Sequence, residues 1–171
     1  KGHTLENWFL GSIGKRVGKY FNGVDDIVWY EPTFETDMSC TIPKHTKLYK
    51  GTFYDANIRE EYLTKKDYFG DNPYCVYIGG DYPVVQHRNI KASSDLKVLW
   101  IKDSYMLPLQ AYFSTIFKKL DVIDPRQYTE TTIMEYINCT NPDIVILGIN
   151  STYLINSIYF HLNEILSYQK R

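Results

Sequence analysis

The chain has 171 residues, 44% hydrophobic and 23% charged, so one packed domain is expected; a disordered tail or a coiled coil does not account for it. Nineteen Lys plus Arg against twenty Asp plus Glu give a net charge of −1, which offers no overall basic field for holding nucleic acid or anionic lipid. The three cysteines, Cys40, Cys75 and Cys139, are far apart and odd in number, which argues against a disulfide framework and a cysteine-only zinc site.

The first residues lack the apolar stretch of a signal peptide, and no run reaches the roughly 18 apolar residues of a membrane span. Residues 11–19 hold Gly and Lys but not the spacing of a phosphate loop. No loop shows the alternating acids of a calcium site, so neither a cofactor nor a metal is expected.

Up to residue 95 the chain is rich in Gly, Asp, Asn, Tyr and Pro. Short β-type runs, Ile27-Val28-Trp29-Tyr30, Thr46-Lys47-Leu48-Tyr49 and Cys75-Val76-Tyr77-Ile78, are separated by turn signals such as Asp71-Asn72-Pro73 and Gly79-Gly80-Asp81. One short helix is expected around residues 58–64. This half reads as a β-rich, loop-rich segment packed on something else.

From residue 96 the pattern is regular. Lys97-Val98-Leu99-Trp100-Ile101 reads as a strand, and Leu109, Phe113, Ile116, Phe117 and Leu120 then fall at helical spacing. Asp121-Val122-Ile123 is a second strand. Thr129 with Glu130 opens a helix bearing Ile133, Tyr136 and Ile137, and Asn141-Pro142 ends it. Ile144-Val145-Ile146-Leu147 is a third strand ending at Gly148, followed by a helix with Leu154, Ile155, Ile158, Leu162, Ile165 and Leu166. This β-α-β-α-β-α order with apolar strands predicts a parallel sheet covered on both faces, with ligands at the strands' carboxyl ends.

Three loops at those ends carry chemistry. Ser104 stands where the first strand turns into a helix, near free N–H groups that can stabilise an oxyanion; Ser104 or Asp103 reads equally as a helix cap. Arg126, after the second strand, has a fork of donors that suits a carboxylate or oxyanion, or is an ordinary surface arginine. Asn150, after Gly148, offers a side-chain donor for an oxyanion, or is a turn residue.

Val98-Leu99-Trp100-Ile101-Lys102-Asp103-Ser104-Tyr105 resembles the nucleophile block of the SGNH (GDSL-like) hydrolases, in the DHHW and alginate O-acetyltransferase-like branch. Gly148-Ile149-Asn150 is similar to the Gly-x-Asn oxyanion block of that superfamily, and Val122-Ile123-Asp124-Pro125-Arg126-Gln127-Tyr128 to a segment of DHHW proteins. Residues 9–20 and Tyr77-Ile78-Gly79-Gly80-Asp81-Tyr82-Pro83 also look like segments of that branch.

The resemblance implies a three-layer SGNH/flavodoxin-like parallel sheet in the C-terminal part and one partial domain over 1–171, divided in texture into 1–95 and 96–171. It implies Ser104 as the nucleophile of an esterase or O-acetyltransferase working through an acyl-serine. Asn150, Gly148, Arg126, Tyr105, Tyr128 and Gly80 are implied for the oxyanion or substrate. The implied partner is an acyl-bearing carbohydrate or polysaccharide in an extracytoplasmic or cell-surface location, compatible with a membrane-associated acyl donor, and not nucleic acid. In this branch Asp and His come from a D-x-H motif upstream of the serine, and the chain contains none. His161 has Ile158 where an Asp-x-x-His pair would place its Asp, and His3, His45 and His87, which lack a suitably spaced Asp, read as surface or structural residues. A serine without a general base retains only residual catalysis, so this stretch alone is expected to be nearly inactive. The competing reading is a non-catalytic carbohydrate-binding or structural domain in which Ser104 caps a helix.

Overall fold

The computed structural model describes residues 1–70 and 72–151. The expected last helix and His161 lie outside them. An antiparallel pair, β1 (Gly2–Phe9) and β2 (Asp25–Tyr30), is joined by two short helices, α1 (Gly11–Val17) and α2 (Lys19–Asn22). Then come β3 (Met38–Ile42), β4 (Lys47–Gly51), α3 (Phe53–Asn57), α4 (Glu61–Thr64) and β5 (Val84–Asn89). The last described elements are β6 (Ser94–Lys102), α5 (Leu107–Phe113), β7 (Phe117–Ile123), α6 (Ile133–Thr140) and β8 (Ile144–Gly148).

Among the described residues the main sheet has six strands, in the order β4-β3-β5-β7-β6-β8. β6 pairs in parallel with both β7 and β8, as the apolar runs predict. The first half of the chain differs from expectation. β3, β4 and β5 join the same sheet through antiparallel pairing rather than forming a separate segment packed on it, so the sheet is mixed. Met38, Cys40 and Ile42 are buried at every second position of β3, the mark of a strand with one face on the core.

Period-two alternation sends side chains to opposite faces. Val98, Trp100, Leu120 and Val122 join a large cluster with Leu107 and Ala111 of α5 and Phe53 and Ala56 of α3. Leu99, Ile101 and Ile123 join Ile137 of α6 on the other side. The expected helix reaching Leu120 is shorter. Ser114 and Thr115 hydroxyls donate to the carbonyls of Ala111 and Tyr112 at the end of α5, and Phe117 and Leu120 belong to β7. Their spacing of three matched a helix by straddling a helix–strand junction. α6 starts after Thr132, not at Thr129, because Thr132 and Glu135 form the reciprocal capping box. Cys75 to Ile78 is not a strand. Asn72 and Pro73 open a 3-10 turn over Pro73–Val76, and Tyr77 makes one isolated bridge to Ile58.

The chain steps from β6 to β7 on one side and returns across β6 to β8 on the other. Such a reversal opens a crevice at the carboxyl end of the central strand, where Lys102, Asp103 and Ser104 lie.

Candidate active site

β6 enters the sheet centre as Val98-Leu99-Trp100-Ile101 and ends on the charged Lys102, with Asp103 directly after it. Lys102 is 1% exposed and Asp103 wholly buried, whereas Ser104 is exposed. Asp103 precedes the 3-10 turn Ser104–Met106 and accepts from the Tyr105 backbone N–H through Oδ1 at 2.9 Å. Its Oδ2 accepts from the Asn150 backbone N–H at 2.6 Å, and its own N–H donates to the Gly148 carbonyl at 3.3 Å. One buried carboxylate thus fastens the turn that follows Ser104 to the backbone of the loop after β8.

Gly148 is needed for packing. A Cβ there would meet Trp100 Nε1 at 2.5 Å. Tyr105 is 69% exposed beside Ser104. Tyr128 is instead buried under the sheet, edge-on to Tyr136, with its hydroxyl 2.8 Å from Thr131 Oγ1.

Arg126 is engaged by carboxylates. It donates to Asp124 and, at 2.9 Å, to Asp81 Oδ2, while Lys102 Nζ pairs with Asp81 Oδ1. Two cations and two carboxylates therefore interlock below the crevice. Gly79 and Gly80, at φ of +92° and +138°, turn the chain so that Asp81 reaches this cluster from the loop before β5. Burial and the neighbouring Asp124 carboxyl push Asp81 up to about 6 against the pull of Lys102. Burial raises Asp124 too, but hydrogen bonds from Arg126 and Asp81 outweigh it and hold that carboxyl below its ordinary range. The sequence singles out Arg126 but not Asp81 as its partner, nor Lys102 as the second cation on Asp81, since only the sheet topology joins them.

Ser104 and Tyr105 open onto a cleft of about 590 Å³, whose far wall is built by Phe9, Ser12 and Asp25 of the first hairpin with Asn72 and Tyr74. None of the described histidines lines it. His3 stacks on Trp29 at 4.1 Å and bonds Glu31, His45 meets the edge of Tyr82, and His87 is fully buried beside Gln110. No group of three metal-binding side chains occurs among the described residues.

The arrangement defines a mixed α/β domain with a serine at the reversal point of its sheet, and solved structures share the fold. The chain is similar to PatB1 of Bacillus cereus, solved with a sulfonyl adduct, at 18% identity and a TM-score of 0.66 over 90% of this chain and 48% of that one. It is also similar to a DHHW family protein from Eubacterium siraeum, at 21% identity and a TM-score of 0.61 over 87% and 47%. The chain thus spans about half the length of the solved structures it matches, and at these identities the likeness shows the fold. No protein-family model matches the chain, and no curated protein matches it significantly.

Proposed function

We propose that this chain is the serine-bearing part of an SGNH-like carbohydrate esterase or O-acetyltransferase, working through an acyl-serine on Ser104, on an extracytoplasmic polysaccharide. The observation that carries the reading is the Asp103 carboxylate, which ties the exposed Ser104 turn to the Asn150 backbone at 2.6 Å. A side-chain amide donor and a hydroxyl nucleophile at adjacent strand ends are the parts an acyl transfer needs: Ser104 Oγ attacks the acyl carbonyl, its proton passes to a base, and the carbonyl oxygen gains the negative charge that Asn150 would stabilise. Collapse of this intermediate breaks the bond to the donor's leaving group, which departs with the proton held by the base and leaves the acyl-serine; water or a sugar hydroxyl then gives a proton to the base, attacks the acyl-serine and takes the acyl group, and Ser104 regains its proton as its oxygen departs. The fold shared with a DHHW family protein and with PatB1, which carries a sulfonyl adduct, supports the reading.

The role left unfilled among the described residues is the general base. A small external base should therefore supply it. With p-nitrophenyl acetate as acyl donor, the 171-residue chain should be slow alone. It should gain an imidazole-dependent rate absent from Ser104→Ala, after subtraction of free imidazole's own rate. Fast turnover without imidazole would show that the chain already holds its base. An imidazole increment equal in Ser104→Ala would remove the acyl-serine and leave a carbohydrate-binding or structural domain.

A further inference from the structure

Charge is unevenly spread. Between Glu6 and Asp25 no acidic residue occurs, while Lys15, Arg16 and Lys19 all fall there. The same stretch forms α1 and α2, which turn apolar side chains outward: Ile13 is 70%, Tyr20 92% and Phe21 89% exposed. Large apolar side chains left open side by side on two consecutive helices mark an interaction surface, whereas single exposed ones do not.

A second segment is fastened to this one and repeats its chemistry. Tyr68 donates its hydroxyl proton to the Asn7 carbonyl at 2.8 Å, and Lys15 Nζ donates to the Gly70 carbonyl at 2.7 Å. Lys19 and Lys66 both lie over the Tyr68 ring, at 5.8 and 5.5 Å. Exposed Phe69, Lys65 and Lys66 are thereby added to the same surface. The acid of this segment, Asp67, turns its carboxylate onto the backbone N–H groups of Gly70 and Phe69, which lower its pKa.

We propose that the surface formed by α1, α2 and residues 65–70 docks on an anionic lipid bilayer. Cationic side chains beside protruding aromatic rings match a headgroup layer: the cations meet anionic headgroups while Tyr20 and Phe21 enter the boundary with the acyl chains. Protein interfaces, by contrast, are depleted in lysine and need a broad packed patch. Residues 11–13 at the start of α1 also line the Ser104 cleft, so docking sets the cleft mouth at the membrane surface. The proposal does not depend on Ser104 acting as a nucleophile.

Co-sedimentation of the protein with phosphatidylcholine vesicles, with and without phosphatidylglycerol, tests it. Binding should require phosphatidylglycerol and weaken in high salt. Tyr20→Ala/Phe21→Ala and Arg16→Glu/Lys19→Glu should each lower the partition coefficient by more than about tenfold, with the melting temperature and circular dichroism of the parent retained. Failure to bind, equal binding to pure phosphatidylcholine, or binding unchanged in both variants would overturn the proposal. So would a self-association that Tyr20→Ala/Phe21→Ala abolishes, since the face would then join two copies of the chain.

Discussion

Asp103 does the work of two residues. It is fully buried, and its two oxygens satisfy backbone N–H groups on two different loops. Hydrogen bonds to a charged acceptor contribute about 1.5–3 kcal/mol each, less where solvent can replace them. Asp103→Ala should therefore cost about 2–4 kcal/mol in urea unfolding, and Asp103→Asn, which keeps one acceptor oxygen, roughly half as much. Equal stability in all three proteins would mean that the Ser104 and Asn150 loops are positioned by something other than this carboxylate. The side chain of Ser104 itself is exposed, so Ser104→Ala should leave stability within about 0.5 kcal/mol of the parent.

At the scale of elements, the parallel part of the sheet was legible because β6, β7 and β8 are short apolar runs with clear stops. β3 was not among the expected strands, although Met38, Cys40 and Ile42 alternate along it. What residue patterns do not show is partnership. Nothing local in Gly79-Gly80-Asp81 indicates that Asp81 meets Lys102 from the end of β6, because that contact joins a loop to a strand end 21 residues away. The helix reading through Leu120 failed for a local reason: the hydroxyls of Ser114 and Thr115 bond back to the carbonyls of Ala111 and Tyr112 as α5 ends. The glycine ending β8 is the counterpart of a large residue on its neighbour. A Cβ at Gly148 would lie 2.5 Å from Trp100 Nε1, and Trp100 is 2% exposed with nowhere to go. Gly148→Ala should destabilise by about 1–3 kcal/mol through overpacking, with a smaller loss in Gly148→Ala/Trp100→Phe. A neutral Gly148→Ala would place the indole elsewhere.

For the whole molecule, a net charge of −1 hides two arrangements: cations gathered on the first hairpin, and interlocked pairs beneath the crevice. Stability against acid depends on a third group, His87 at the sheet centre. Burial, helped by Arg88, Arg59 and Lys102, lowers its pKa from 6.5 to about 3. The unfolded chain takes up this proton below about 6.5 and the folded chain does not, so stability present above that pH is lost as pH falls, by up to ~1.4 kcal/mol per unit. Asp81, raised to about 6, acts in the opposite sense: its contribution is full at low pH and fades as pH rises through that value. Comparison with His87→Gln isolates the histidine. The variant's melting temperature should fall less than the parent's between neutral and acid pH, and parallel curves would contradict the buried neutral imidazole. The proposed role of Ser104 as a nucleophile is decided by peptide mass mapping after exposure to a sulfonyl fluoride with imidazole present. A sulfonyl adduct is expected on Ser104 and absent from Ser104→Ala. Labelling confined to other residues, or no labelling while imidazole is present, would contradict it.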